Sequence, residues 1–237
     1  MQAGILIIGS IFWDQNEIRS AWRQSRLRMA DAIDVAVPIR YGRAAISRAN
    51  TYTMVFSTKA PLGTAKVVPC QAEIKSFDDL LIEAKALWLS ESMKTESDSI
   101  SAHWGCTALK VKDAYNPLAA QWAQYTADYR ADYALDHADD EAPALDASGL
   151  LQMPWPSKTN GEALTEVDLL LCIANRPTLR HGDYVGPDDI ALAWLKNSSY
   201  DDYFYKNREN GIKTFQDDEI LGAFWAAQPG GCGGPMF

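Results

Sequence analysis

Three short stretches of this sequence bring together residue types that can do chemistry. An apolar run over residues 4–8 stops at Gly9-Ser10. A strand that ends in this dipeptide turns sharply and leaves backbone N–H groups pointing outward, where they can hold a carboxylate or a developing oxyanion. Gly and Ser are also ordinary residues of a plain β-turn. The second stretch is Ala86-Leu87-Trp88-Leu89-Ser90-Glu91. A carboxylate at a helix C-terminus faces an unfavourable dipole, so Glu91 is an unusual choice for a surface position. Buried, with its pKa raised, it can move protons near neutral pH. The plain alternative is a solvated helix end, and Glu83 and Glu96 compete for the same role. The third stretch is Arg40-Tyr41-Gly42-Arg43 with Arg48, the densest basic cluster between two strands of an acidic chain. A guanidinium fork matches a carboxylate in a bidentate way, although charged residues also collect at any strand–loop junction.

Other chemistries find little support. The four cysteines, Cys70, Cys106, Cys172 and Cys232, form no Cys-x-x-Cys pair and read as reduced thiols. The three histidines, His103, His137 and His181, are too scattered for a zinc site. A net charge of −9 argues against nucleic acid, which needs a basic footprint, and against an anionic membrane surface. No run approaches the ~18 apolar residues of a membrane span. The N-terminus lacks a basic n-region, which predicts a cytoplasmic protein.

The elements that position these residues follow from periodicity. Residues 4–8 read as a fully buried strand and 16–29 as a helix, with Ile18, Trp22 and Arg26 at helical spacing. A strand-rich block follows at 33–41, 50–57 and 63–70. Ser76 is an N-cap for a helix running to about Ser92, with Leu80, Leu81, Ala84, Leu87 and Trp88 as its apolar face. Further strands are expected at 104–111 and 167–174, and helices at 188–195, 199–210 and 217–227. Residues 113–166 read as an insertion of one helix and a long exposed connection, and 229–237 as a loose Gly-rich tail. One domain over 1–237 is expected, α+β in class, with its strands closing into a small mixed β-barrel flanked by helices.

Taken together, these segments resemble the γ-glutamylcyclotransferase family, in particular its ChaC-like branch. That family opens on Gly-Tyr-Gly-Ser-Leu-(hydrophobic)-Trp-Asn, where this chain has Ile7-Ile8-Gly9-Ser10-Ile11-Phe12-Trp13-Asp14. Its Gly-Arg turn between strands is matched by Tyr41-Gly42-Arg43 to Arg48. Its Gly-Val-Ala-Tyr strand is matched by Gly63-Thr64-Ala65-Lys66-Val67. The late strand running into Asn175-Arg176-Pro177, and the stretch from Asp201 through Gly211-Ile212 to Asp217-Asp218, match later elements. Its helix ending in Leu-Trp-x-Arg-Glu is matched by Leu87-Trp88-Leu89-Ser90-Glu91. Ile8 stands where the family has Tyr, and Ser90 where it has Arg.

The resemblance implies an enzyme in which the substrate's α-amine attacks its own γ-glutamyl carbonyl. The products would be 5-oxoproline and a free amine or peptide, with glutathione or another γ-glutamyl compound as substrate and no cofactor or metal. It implies Glu91 as the proton shuttle and Gly9, Ser10, Ile11 and Trp13 as substrate-binding residues, with Arg43 or Arg48 on a carboxylate. Two other classes stay open at this point. One is a catalytically degenerate binding or interaction protein on the same fold. The other is a nucleophile hydrolase using Ser10 or a cysteine.

Overall fold

A computed structural model describes residues 1–48, 50–113, 116–133, 135–197 and 200–228. The chain opens with strand β1 (Gln2–Ile7), a 3-10 turn (Ser10–Phe12) and helix α1 (Glu17–Arg26). Strands β2 (Ile33–Ala45), β3 (Thr51–Phe56) and β4 (Leu62–Glu73) lead to helix α2 (Phe77–Ser92). Next come β5 (Ser101–Ala102), β6 (Gly105–Val111), α3 (Pro117–Thr126), α4 (Arg130–Tyr133) and β7 (Ser157–Lys158). The chain continues through β8 (Leu169–Asn175), α5 (Pro187–Leu195), α6 (Tyr200–Glu209) and α7 (Asp217–Ala226).

The strands form one mixed sheet in the order β3-β2-β4-β1-β8-β6-β5, with β7 beside β2. At its centre β1 runs antiparallel to β4 and parallel to β8. Both faces of this centre are covered. Ala3, Ile5 and Ile7 join the core under α1, α2 and α3, while Leu6 and Ile8 join the core under α5, α6 and α7. β8 alternates in the same way: Leu169, Leu171 and Ile173 face one core, and Leu170, Cys172 and Ala174 the other. Burial on both faces is why these strands read as unbroken apolar runs.

The expected barrel does not form; the sheet stays open. β2 pairs with β4 over Ile33 to Pro38, then changes partner and pairs with β3 from Ile39 onward. Pro38 sits at the changeover, where its missing N–H costs no ladder bond. A bulge between Tyr41 and Arg43 bends the strand further. Gly42 is the extra residue. A Cβ there would stand 2.6 Å from Val55 Cγ2 and 3.0 Å from Tyr184 Cδ1. This curl brings β3 toward the end of β8, but a side chain spans the remaining gap: Asn175 Nδ2 donates to the Met54 carbonyl at 3.3 Å.

The 113–166 segment also departs from expectation. It is not an exposed connection: Trp122, Tyr133, Leu145, Leu151, Met153 and Leu164 are all buried. The Tyr133 hydroxyl donates to the Thr107 carbonyl at 2.9 Å, and the Leu151 N–H to the Leu109 carbonyl at 2.9 Å, which fastens the segment along β6. The expected tail 229–237, with Cys232, lies outside the described residues. Among the described residues no helix is long and apolar enough to cross a membrane.

Candidate functional site

The opening between β3 and the C-terminal ends of β1 and β8 is a cavity of about 780 Å³. Gly9, Ser10, Ile11, Arg43, Arg48 and Glu91 all line it, six residues drawn from distant parts of the chain. Each arrives by a local cause. β1 ends at Ile7, and the chain enters the 3-10 turn through Gly9, whose backbone is extended (φ −171°). Such a φ suits any residue; what crowds a side chain is the Tyr203 hydroxyl, which a Cβ would meet at 3.0 Å. Ser10 and Ile11 stand at the start of the turn, so their N–H groups precede its first hydrogen bond and have no partner within it.

α2 begins in a capping box, with the Asp79 N–H donating to Ser76 Oγ at 3.2 Å and the Ser76 N–H to Asp79 Oδ2 at 2.9 Å. Its buried face runs through Leu80, Ala84, Leu87 and Trp88 to Ser90, which seats the last turn against the sheet. Met93 follows in the left-handed region (φ 52°), so the chain turns away just after Glu91.

A buried guanidinium from α1 ties the turn to this helix end. Arg19 Nη1 donates to Asp14 Oδ2 at 2.6 Å and to Ser10 Oγ at 3.2 Å. Its Nη2 donates to Glu91 Oε2 at 3.0 Å, and its Nε to the Ser90 carbonyl at 3.3 Å. Arg23, one turn on, donates to the Ile11 carbonyl at 2.6 Å and to the Asp14 carbonyl at 2.6 Å. The buried face of α1 is thus Arg19, Trp22 and Arg23, and the expected Ile18 and Arg26 lie beside it, partly exposed.

Arg43 donates to Asn175 Oδ1 at 3.2 Å and lies over the Trp104 ring at 4.9 Å. Trp104 in turn stacks on Trp88 at 4.8 Å. Arg48 donates to Ser10 Oγ at 3.0 Å and lies over the Tyr203 ring at 4.6 Å. Among the described residues neither arginine has a carboxylate partner within ion-pair distance. Arg40 parts from them: its guanidinium lies over Tyr184 at 4.2 Å, away from the cavity.

Burial pushes the Glu91 carboxyl above its ordinary range; Arg19, Arg43 and Arg48 oppose the shift, and Asp14 adds to it. Burial lowers Arg43, against the pull of Glu91 and Tyr203, and raises the Tyr203 phenol. The cavity therefore holds a carboxylate poised to take and return a proton, beside cationic forks suited to an anionic group.

Trp13 is the expected site residue that the structure keeps out of the cavity wall. Its Nε1 donates to Asn207 Oδ1 at 2.7 Å, and its ring lies 6.4 Å from that of Tyr203, which it backs. Among the described residues Ser10 gains no base. Its hydroxyl accepts from two guanidiniums, which only donate. Cys70, Cys106 and Cys172 are buried, and burial raises all three thiols, Cys70 to about 12. Thiols so raised are poor nucleophiles. Among the described residues no group of three or more His, Cys, Asp or Glu side chains is placed to hold a metal ion.

Sequence reasoning passed over Arg19, Asp14, Asn175 and Tyr203 as site residues. Only α1 carried a signal, since two arginines flank Trp22 at i, i+3 and i+4 spacing on one face. No family model, curated protein or solved structure matches the chain.

Proposed function

We propose that this chain is a γ-glutamylcyclotransferase-like enzyme that closes a γ-glutamyl group to 5-oxoproline and releases an amine or peptide. One observation carries the reading: Glu91, the Gly9-Ser10-Ile11 turn, Arg43 and Arg48 face a single cavity, large enough for a small substrate. Ring closure is intramolecular, so most of its acceleration comes from holding the substrate folded, with amine and carbonyl in contact. In this reading Glu91 takes one proton from the α-ammonium, the freed amine attacks the γ-carbonyl, and the first turn donors hold the oxyanion. Glu91 then gives its proton to the departing nitrogen, takes the second proton from the ring nitrogen as the lactam forms, and passes it to the released amine. The amine leaves as an ammonium, so substrate and products carry the same number of protons and Glu91 returns to its starting state.

The test is a panel of γ-glutamyl amino acids, amines and peptides incubated with the purified protein, with 5-oxoproline as the readout. Glu91→Gln should lower turnover by ~10²–10⁴-fold, the usual contribution of a placed proton shuttle. Unchanged turnover in that variant would reject the role of Glu91. A second reading, a binding protein on the same fold, is favoured by Ile8, which puts an aliphatic side chain in the cavity wall directly before Gly9. Binding of γ-glutamyl compounds without 5-oxoproline release would decide for it.

A further inference from the structure

A buried cation held between two carboxylates is more than one proton shuttle requires. Arg19 has a side chain only 5% exposed, and its two terminal nitrogens are divided between Asp14 and Glu91. The Asp14 contact is the shorter, 2.6 Å against 3.0 Å. Asp14 is itself fixed, since its Oδ1 accepts the Asn16 N–H at 2.9 Å. We propose that Asp14 is a positioning residue that keeps Arg19 compensated through both protonation states of Glu91, and so lets Glu91 accept and return a proton. The proposal rests on the proton-shuttle reading of Glu91.

The reasoning is one of charge balance. A guanidinium left buried without a counter-charge is strongly destabilising. Were Glu91 its sole carboxylate, each protonation of Glu91 would strand Arg19 in that state. The protonated form would be penalised, and Glu91 would hold its charge too firmly to serve as a base. Asp14 removes that penalty and also repels the Glu91 charge. Among the described residues Arg43 from β2, Arg48 from the turn after β2 and the Tyr203 phenol from α6 also act on Glu91, and His103 from the β5–β6 turn and Arg176 after β8 line the same cavity. These are unchanged by a substitution at Asp14. The Arg19 Nε bond to the Ser90 carbonyl holds the guanidinium in place while Glu91 titrates.

The experiment is Asp14→Asn, with Asp14→Ser as a second variant. Asp14 is 27% exposed, so neither change opens a core. The titration midpoint of the Glu91 carboxyl is followed by carbon-13 NMR in the ligand-free protein, beside the pH profile of kcat. In both variants the midpoint should fall, the acid limb of kcat should move to lower pH, and kcat should drop by about tenfold or more with KM little changed, a share of what proton transfer contributes. A midpoint that does not move overturns the proposal, whatever the variants turn over. A midpoint that falls in a protein that turns over no γ-glutamyl compound upholds the shared charge and rejects the cyclisation reading instead.

Discussion

Glu91 bears a heavy demand, since a carboxylate useful as a base is costly to keep ionised where it sits. Its folded pKa is raised by burial. A raised acid binds more protons in the folded than in the unfolded state through that window. Its favourable contribution is therefore complete below the ordinary carboxylate range and is lost as pH rises through the folded value. Gln at this position carries no such loss. The melting temperature of Glu91→Gln relative to the native protein should thus climb between about pH 4, near the unperturbed Glu value, and pH 7. Calorimetry across that range checks it, and a difference that falls with pH would contradict the burial account. At this scale the sequence was informative where a residue's own type is unusual for its local position. A Glu closing an apolar helix and a Gly-Ser pair closing a buried strand both stand out. Arg19 and Asp14 did not, because an arginine on an amphipathic helix reads as a solvated charge until tertiary packing closes around it.

At the scale of elements, the turn after β1 and the helix α6 meet without room between them. The Tyr203 hydroxyl accepts the Met54 N–H at 3.3 Å and would lie 3.0 Å from any Cβ at position 9. Gly9→Ala should therefore push the turn and Tyr203 apart by a few tenths of an ångström, misplacing the donors of Ser10 and Ile11. An error of this order at a positioned site is costly to turnover. The expected result is a lowered kcat/KM with a small loss of stability. Adding Tyr203→Phe removes the offending oxygen and should restore part of the rate; no recovery in the double variant would place the damage elsewhere. The strands and the long helices were legible because their apolar periods are strong and their ends carry caps, as with Ser76 and Asp79 ahead of α2. The open sheet was not. A strand that changes partner at Pro38 and bulges at Gly42 has the same local text as one that continues around a barrel, and the choice depends on what fills the gap at the end of β8. The 113–166 segment was misread for a related reason. Beyond α3 its buried residues are spaced irregularly between polar ones, so neither a period of 3.6 nor one of 2 reveals them.

Across the whole molecule the charge is distributed against its average. The chain carries −9 overall, yet Arg43 and Arg48 line the cavity and keep donors free of any carboxylate among the described residues. Arg19 adds a third guanidinium, but Asp14 and Glu91 already balance it. On the proposed function, an anionic substrate would be repelled by the surface at long range and drawn in at the mouth, where low-dielectric walls concentrate the field. Composition shows only the first of these. It disfavours a nucleic-acid partner but says nothing of a local cationic pocket, which requires β2 to curl until Arg43, and Arg48 in the turn after it, face the end of α2. The two effects separate with salt. Screening shortens from ~10 Å at 0.1 M to ~3 Å at 1 M, so long-range repulsion is lost first and the close arginine contacts weaken last. For a γ-glutamyl substrate with two carboxylates, KM should fall or hold level up to about 0.1 M salt and rise well above it. For kcat little change is expected, because the reacting groups are shielded inside the cavity. Arg48→Gln should raise KM at low salt and flatten the later rise. A KM that climbs steadily from the lowest salt in the native protein would mean that attraction dominates at every range, and that the acidic surface plays no part in how substrate reaches Glu91.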